Sequence, residues 1–189
     1  MSELTLVGLC GALRRDSTNR RLMRLAARRF GPARFTEGDL RLPLYDGDLE
    51  AAGGVPAEVQ RLAEAIRAAD AVVIACPEYN KALPGVLKNA LDWLSRVKGG
   101  VWRDKPVAIV SAAAGRAGGE RTQFSLRLCL NPFRPHVLPG PEVMIADSSN
   151  AFDADGGLTD ARSLALLDEL MAELRRAAML RREAGARAA

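Results

Sequence analysis

The 189-residue sequence predicts one α/β domain, a doubly wound five-stranded parallel sheet with helices on both faces, and three observations predict it. Short apolar runs rich in β-branched residues alternate with segments whose apolar residues recur at helical spacing. Each run stops abruptly at a loop of small and polar residues. No internal repeat or low-complexity linker breaks the alternation, so residues 1–180 read as a single unit and 181–189 as a frayed, disordered tail.

Leu4 to Leu9 is the first strand. The loop from Cys10 to Asn19 leads into a helix whose Leu22, Met23, Leu25, Ala26 and Phe30 share a face before Gly31-Pro32 ends it. Ala33 to Glu37 is a weak second strand. The stretch from Gly38 to Gly54, with Leu42-Pro43-Leu44-Tyr45-Asp46, reads as a loop folded over a neighbouring surface and anchored by Tyr45. Pro56 opens a helix presenting Val59, Leu62, Ala63 and Ile66 to the sheet. Ala71-Val72-Val73-Ile74-Ala75 is the central buried strand, stopped at Pro77. Leu83-Pro84-Gly85 opens the next helix, through Lys88, Leu91 and Trp93, and Val97 to Trp102 is a flexible link. Pro106 to Ser111 is the fourth strand, and Phe124, Leu126, Leu128, Cys129 and Leu130 mark a mostly apolar helix. Val137-Leu138 and Val143-Met144-Ile145 supply the last strand around Pro139-Gly140-Pro141. Leu158 to Met171 is the final helix.

Composition excludes several classes. The 27 basic and 23 acidic residues give +4, with arginines clustered at Arg14-Arg15, Arg20-Arg21, Arg24 and Arg28-Arg29. Aromatic content of 5% and the lack of a recognition module argue against nucleic acid. No apolar run is long enough to cross a bilayer, and Met1-Ser2-Glu3 leads straight into a strand, so the expected location is cytoplasmic. Three scattered cysteines, Cys10, Cys76 and Cys129, read as reduced thiols rather than a metal site. His136, the only histidine, has no catalytic constellation around it.

Ligands of open parallel sheets sit outside the carboxyl ends of the strands, and three loops lie there. After the first strand, the free N–H groups and positive dipole of a helix start, with Ser17, Asn19 and Arg14, compose a phosphate site. The loop lacks the lysine and spaced glycines of a nucleoside triphosphate loop. After the central strand, Glu78, Tyr79 and Asn80 offer a carboxylate, an aromatic face and an amide. After Ser111, Gly115, Gly118 and Gly119 let backbone approach a flat ligand.

Pro77-Glu78-Tyr79-Asn80 followed by Leu83-Pro84-Gly85-Val86-Leu87-Lys88-Asn89-Ala90-Leu91-Asp92-Trp93-Leu94 resembles the signature of the NADPH-dependent FMN reductase family, a flavodoxin-like group that includes quinone, azo-dye and chromate reductases. Gly11-Ala12-Leu13-Arg14 and Ser17-Thr18-Asn19 resemble that family's FMN-phosphate loop, except that Ala12 stands where serine is usual. The resemblance implies FMN held by Gly11, Leu13, Arg14, Ser17 and Asn19 at its phosphate, by Pro77, Glu78, Tyr79 and Asn80 at its ring, and by Ser111, Gly115, Gly118 and Gly119 at the ring's other edge. It implies reduction by NADPH or NADH and reoxidation by a quinone or similar small acceptor, with no catalytic side chain because the flavin carries the chemistry. Lys81 and Arg116 are candidates for the extra phosphate of NADPH. A homodimer or homotetramer is implied, with Arg121 and Glu142 in an intersubunit network. Two other readings stand beside this one: a flavodoxin-type electron carrier, disfavoured by the basic charge, and a regulatory module that has lost FMN, to which Ala12 lends weight.

Overall fold

Strand β3 (Ala71–Ala75) is buried at every position, as its unbroken apolar run demands, because helices cover both faces of the sheet it centres. In the computed structural model, which describes residues 3–188, β3 lies between β1 (Leu4–Cys10) and β4 (Pro106–Ala112). Outside β1 runs β2 (Ala33–Gly38), and outside β4 runs β5 (His136–Val137), giving the order β2-β1-β3-β4-β5 with parallel pairings throughout. A further segment, β6 (Val143–Ile145), continues the β5 position along β4, pairing Val110 with Val143. Pro139 and Pro141 separate the two segments because a proline donates nothing to a ladder. This is the flavodoxin-like order, with its switch point between β1 and β3.

The period-2 alternation of the strands divides the core. Leu6, Val73, Ala75 and Val110 face α1 (Thr18–Phe30) and α6 (Ala161–Ala188), while Val7, Leu9, Val72, Ile74 and Ile109 face α3 (Ala57–Ala68), α4 (Gly85–Arg96) and α5 (Glu120–Leu130). Small residues on the first side, Ala71 and Ala108, leave room for Met23 and Phe30.

Three expectations need correction. The link after α4 is not loose: Val101 and Trp102 are buried in the core, swung inward by Gly99 and Gly100 at φ 94° and 61°. The Gly38–Gly54 stretch contains a short helix, α2 (Gly47–Gly53), capped by the Asp46 carboxylate, and the loop before it is stapled to α4. Asn89 grips Tyr45 N–H and the Pro43 carbonyl, and the Trp93 indole N–H donates to that same carbonyl.

The third correction concerns the carboxyl-terminal segment, which is not frayed over the described residues. Helix α6 continues to Ala188, and the Arg182 guanidinium donates to both oxygens of Asp70 and to the Glu3 carbonyl. Ala189 lies outside the described residues. Asp70 also accepts from the N–H and hydroxyl of Thr5, at 2.7 and 2.8 Å. Burial alone would raise this carboxyl, but the Arg182 and Thr5 donors outweigh it and hold Asp70 below its usual 3.8. A depressed acid contributes stability above its unfolded value and loses it as pH falls through the folded one. Asp70→Asn is therefore expected to cost about 1 kcal/mol at pH 7 after solvent screening, and to converge with the parent protein in acid, as read by urea unfolding across pH.

Candidate functional site

The carboxyl ends of β1, β3 and β4 open together into a crevice of about 250 Å³. Ala12, Arg14 and Ser17 to Asn19 line it from the first loop, Pro77 to Tyr79 from the second, and Ala112 to Ala114 from the third. A roomier groove of about 1060 Å³, beside His136, Glu173 and Arg181, lies at the amino ends of β4 and β5, where ligands of this fold do not sit.

Gly11 turns the chain out of β1, its N–H bonded to the Ala75 carbonyl at 2.9 Å. A side chain there would meet Pro84 at 2.8 Å and Pro77 at 3.0 Å, so glycine is what lets the first two loops touch. The Leu13 carbonyl is braced by Arg41, a contact the sequence did not signal. Arg14 is exposed at the crevice edge. Ser17 is buried at the N-cap of α1, yet its hydroxyl makes no capping bond to the helix. From Ala12 to Arg20 no backbone N–H finds a hydrogen-bond partner among the described residues, as expected where a helix starts. This run of donors, with an arginine and an uncapped hydroxyl, fits a phosphate. The Ala12 side chain is buried in the core facing α1 and supplies no donor.

The Asn19 side chain has a structural part at the crevice wall. Its amide is buried and clamps the end of β4, donating to the Ala112 carbonyl at 2.7 Å and accepting the Ala112 N–H at 3.0 Å. It positions the helix start against the third loop.

In the second loop, Tyr79 and Ala82 exchange hydrogen bonds at 3.1 Å across Asn80 and Lys81, whose φ values of 49° and 69° make a two-residue hairpin turn of type I′. Asn80 suits this conformation, whereas Lys81 occupies a position where glycine is usual. The turn holds Tyr79 half-exposed at the rim. Glu78 accepts the Arg121 N–H at 3.2 Å, which ties the loop to the start of α5. Behind it the Thr122 hydroxyl bonds the Pro77 carbonyl and sits 3.0 Å from the Cys76 sulfur. Burial pushes the Cys76 thiol up to about 12, which leaves it inert as a nucleophile.

In the third loop, Ser111 is buried and donates to the Gly118 carbonyl at 2.7 Å, so it braces the loop from behind. Gly118 and Gly119 adopt φ 58° and 95°, whereas Gly115 stands in open space. The N–H groups of residues 114–117 have no partner among the described residues. Arg116 and Lys81 are both exposed on loop tips. Arg121 and Glu142 form no ion pair with each other among the described residues; Glu142 instead lies in electrostatic reach of Arg127.

Sequence reading missed Thr122 and Gln123, both fully buried. The signal was present, because two polar residues fall on the buried stripe of an apolar helix, where each must have a partner.

A model of the family described as NADPH-dependent FMN reductase matches residues 4–150. The chain is similar to an NAD(P)H-dependent FMN reductase of Pseudomonas aeruginosa, 42% identical over 91% of this chain and 94% of that one. It is likewise 42% identical to a quinone reductase of Escherichia coli K12, over 83% and 86%. Among solved structures, FerB of Paracoccus denitrificans, a flavoenzyme NAD(P)H:(acceptor) oxidoreductase, superposes with a TM-score of 0.84 at 31% identity, covering 93% of this chain and 97% of that one. With its strand order, its three-loop crevice and a match running from β1 through the third loop, the chain belongs to the NADPH-dependent FMN reductase family.

Proposed function

We propose that the three-loop crevice is where FMN is held and that a quinone or similar small oxidant is the acceptor. The chain is an FMN-dependent NAD(P)H oxidoreductase of its family. The observation that carries the assignment of the crevice is that unpartnered N–H groups from the start of α1, those of Ser17, Thr18 and Asn19, and from the third loop, that of Ala114, lie on one cavity. Bound flavin supplies the hydride and electron chemistry. The chain supplies charge and position. The start of α1, with Ser17 and Arg14, would neutralise the phosphate, Tyr79 would border the ring, and the 114–117 donors would meet the ring edge that becomes negative on reduction.

The absorption spectrum tests this directly. Purified protein titrated with FMN and then given anaerobic NADPH is expected to show flavin bands that bleach, and to recover them on adding a quinone. A carrier would oxidise NAD(P)H only sluggishly without a partner protein. A module that has lost the cofactor would take up no FMN at all.

Lys81 and Arg116 are proposed to meet the extra phosphate of NADPH, supported by their exposure on tips flanking the crevice. Reversing both charges is expected to lower kcat/KM for NADPH about tenfold while leaving NADH nearly unaffected; an unchanged preference would remove the proposal.

A homodimer or homotetramer is also proposed, supported by Phe124 and Leu128, 53% and 71% exposed one turn apart on α5 beside the crevice rim. Light scattering at micromolar concentration is expected to give a mass of two or four chains. Cytoplasmic location belongs to the same reading, supported by three free cysteines. No helix among the described residues is long and apolar enough to cross a membrane.

A further inference from the structure

Behind the third loop, the buried side chain of Gln123 is bonded to both structures that enclose Gly118. Its amide nitrogen donates to the Ser111 hydroxyl and to the Val143 carbonyl, each at 2.9 Å. Ser111 has a single hydroxyl proton, and that proton goes to the Gly118 carbonyl at 2.7 Å. The direction of the relay is therefore fixed: amide to hydroxyl, hydroxyl to loop carbonyl. On the other side of Gly118 is the backbone of Met144, the residue after Val143; a side-chain carbon at Gly118 would lie 2.5 Å from it. A carbon at Gly119 would lie 2.9 Å from Ser111 itself. Gly118 is thus held between Ser111 and β6, and among the described residues the Gln123 amide is the side-chain group tied to each.

Only the donor half of that amide is used. Its oxygen is buried and has no partner among the described residues. Two outgoing N–H bonds are what the position requires, and of the residues of this size only glutamine supplies them without charge.

We infer that Gln123 is a positioning residue that sets the direction of the 114–117 N–H donors toward the flavin ring, and through them the affinity and reduction potential of bound FMN. This rests on the crevice being the FMN site. Donors aimed at a ring that gains negative charge on reduction stabilise the reduced form more than the oxidised form. Releasing the loop removes that differential stabilisation, so the potential becomes more negative while the oxidised flavin also binds less tightly.

Gln123→Glu keeps the volume and reverses the relay. An ionised carboxylate offers no donor, so Ser111 turns its proton toward it and the Gly118 carbonyl loses its bond. Ser111→Ala breaks the same relay one link further on, with no charge introduced, and serves equally should the buried carboxylate prevent folding. The measurements are the FMN dissociation constant by flavin fluorescence quenching and the midpoint potential of the bound flavin, alongside the thermal unfolding of the FMN-free protein.

Each single variant is expected to weaken FMN binding about tenfold and to shift the potential to more negative values, and the double variant to be little worse than either. A general loss of packing would lower the unfolding temperature but leave the potential of the flavin that still binds unchanged, and that result overturns the inference. So would independent, additive effects of the two substitutions. If the parent protein itself takes up no FMN, the cofactor assignment falls and this inference with it. If the parent binds FMN and both variants match it in affinity and potential, the positioning role alone is refuted.

Discussion

Replacing Gly118 by alanine is expected to cost about 3 kcal/mol of stability and to abolish measurable FMN binding. Two independent penalties add at this residue. Its φ of 58° is one that an L side chain adopts only at a cost of about 1 kcal/mol. The added carbon would also lie 2.5 and 2.7 Å from the carbonyl carbon and oxygen of Met144, which are backbone atoms and cannot rotate aside. The loop must then lift from β6, and the Ser111 bond to the Gly118 carbonyl goes with it. Gly115→Ala is the control. It lies on the same loop with nothing within 4 Å of the added carbon, and is expected to leave unfolding unchanged within a few tenths of a kcal/mol. Urea unfolding and FMN titration of the two variants check both statements. Equal behaviour would mean that the loop does not depend on the close approach to Met144.

Asn19→Ala is expected to be nearly as severe, at about 3 kcal/mol. The amide satisfies two buried backbone groups of the same residue, the N–H and C=O of Ala112, and its removal leaves both unpaired at about 1–3 kcal/mol each, partly recovered by water entering from the crevice. Asn19→Asp separates the two contributions. A carboxylate still accepts the Ala112 N–H but opposes the Ala112 carbonyl, so this variant is expected to recover none of the loss near neutral pH. The clamp also joins the start of α1 to the end of β4, so FMN affinity should fall in both variants more than in a substitution of exposed Arg15. If Asn19→Ala matched the parent in stability and lost affinity alone, the asparagine would be a ligand-binding side chain and not a clamp.

These two residues show where sequence reading was strong and where it was not. Motif matching singled out both Gly118 and Asn19. It could not distinguish a residue that touches a ligand from one that holds another residue in place, because both roles leave the same residue at the same spacing. The same holds for Ser111, whose hydroxyl points back into the protein, and for Asn80, whose observed role is a left-handed turn.

The strands were legible for a physical reason. A parallel sheet covered on both faces requires continuous apolar runs, and Leu4 to Leu9, Ala71 to Ala75 and Pro106 to Ser111 show them without ambiguity. The alternation of strand and helix implied a parallel sheet with the three loops at one edge, and the family resemblance implied the order of its strands.

What the sequence left open were features whose partners lie far along the chain. Trp102 follows two glycines and reads locally as part of a loose link, yet it is buried. Arg182 reads as part of a frayed end, yet it bonds Asp70, 112 residues away. Lys105 carries no local signal of burial, and its ammonium is buried against the carbonyls of Arg67 and Ala69, which lowers it to about 8. Local pattern records what each residue prefers. The sequence by itself therefore determined the fold, the family and the crevice, because apolar periodicity and loop motifs are local. Only the tertiary structure decided which polar side chains face the crevice and which, like Gln123 and Ser111, work from behind it, because a buried donor is defined by the acceptor it reaches and that acceptor is set by packing.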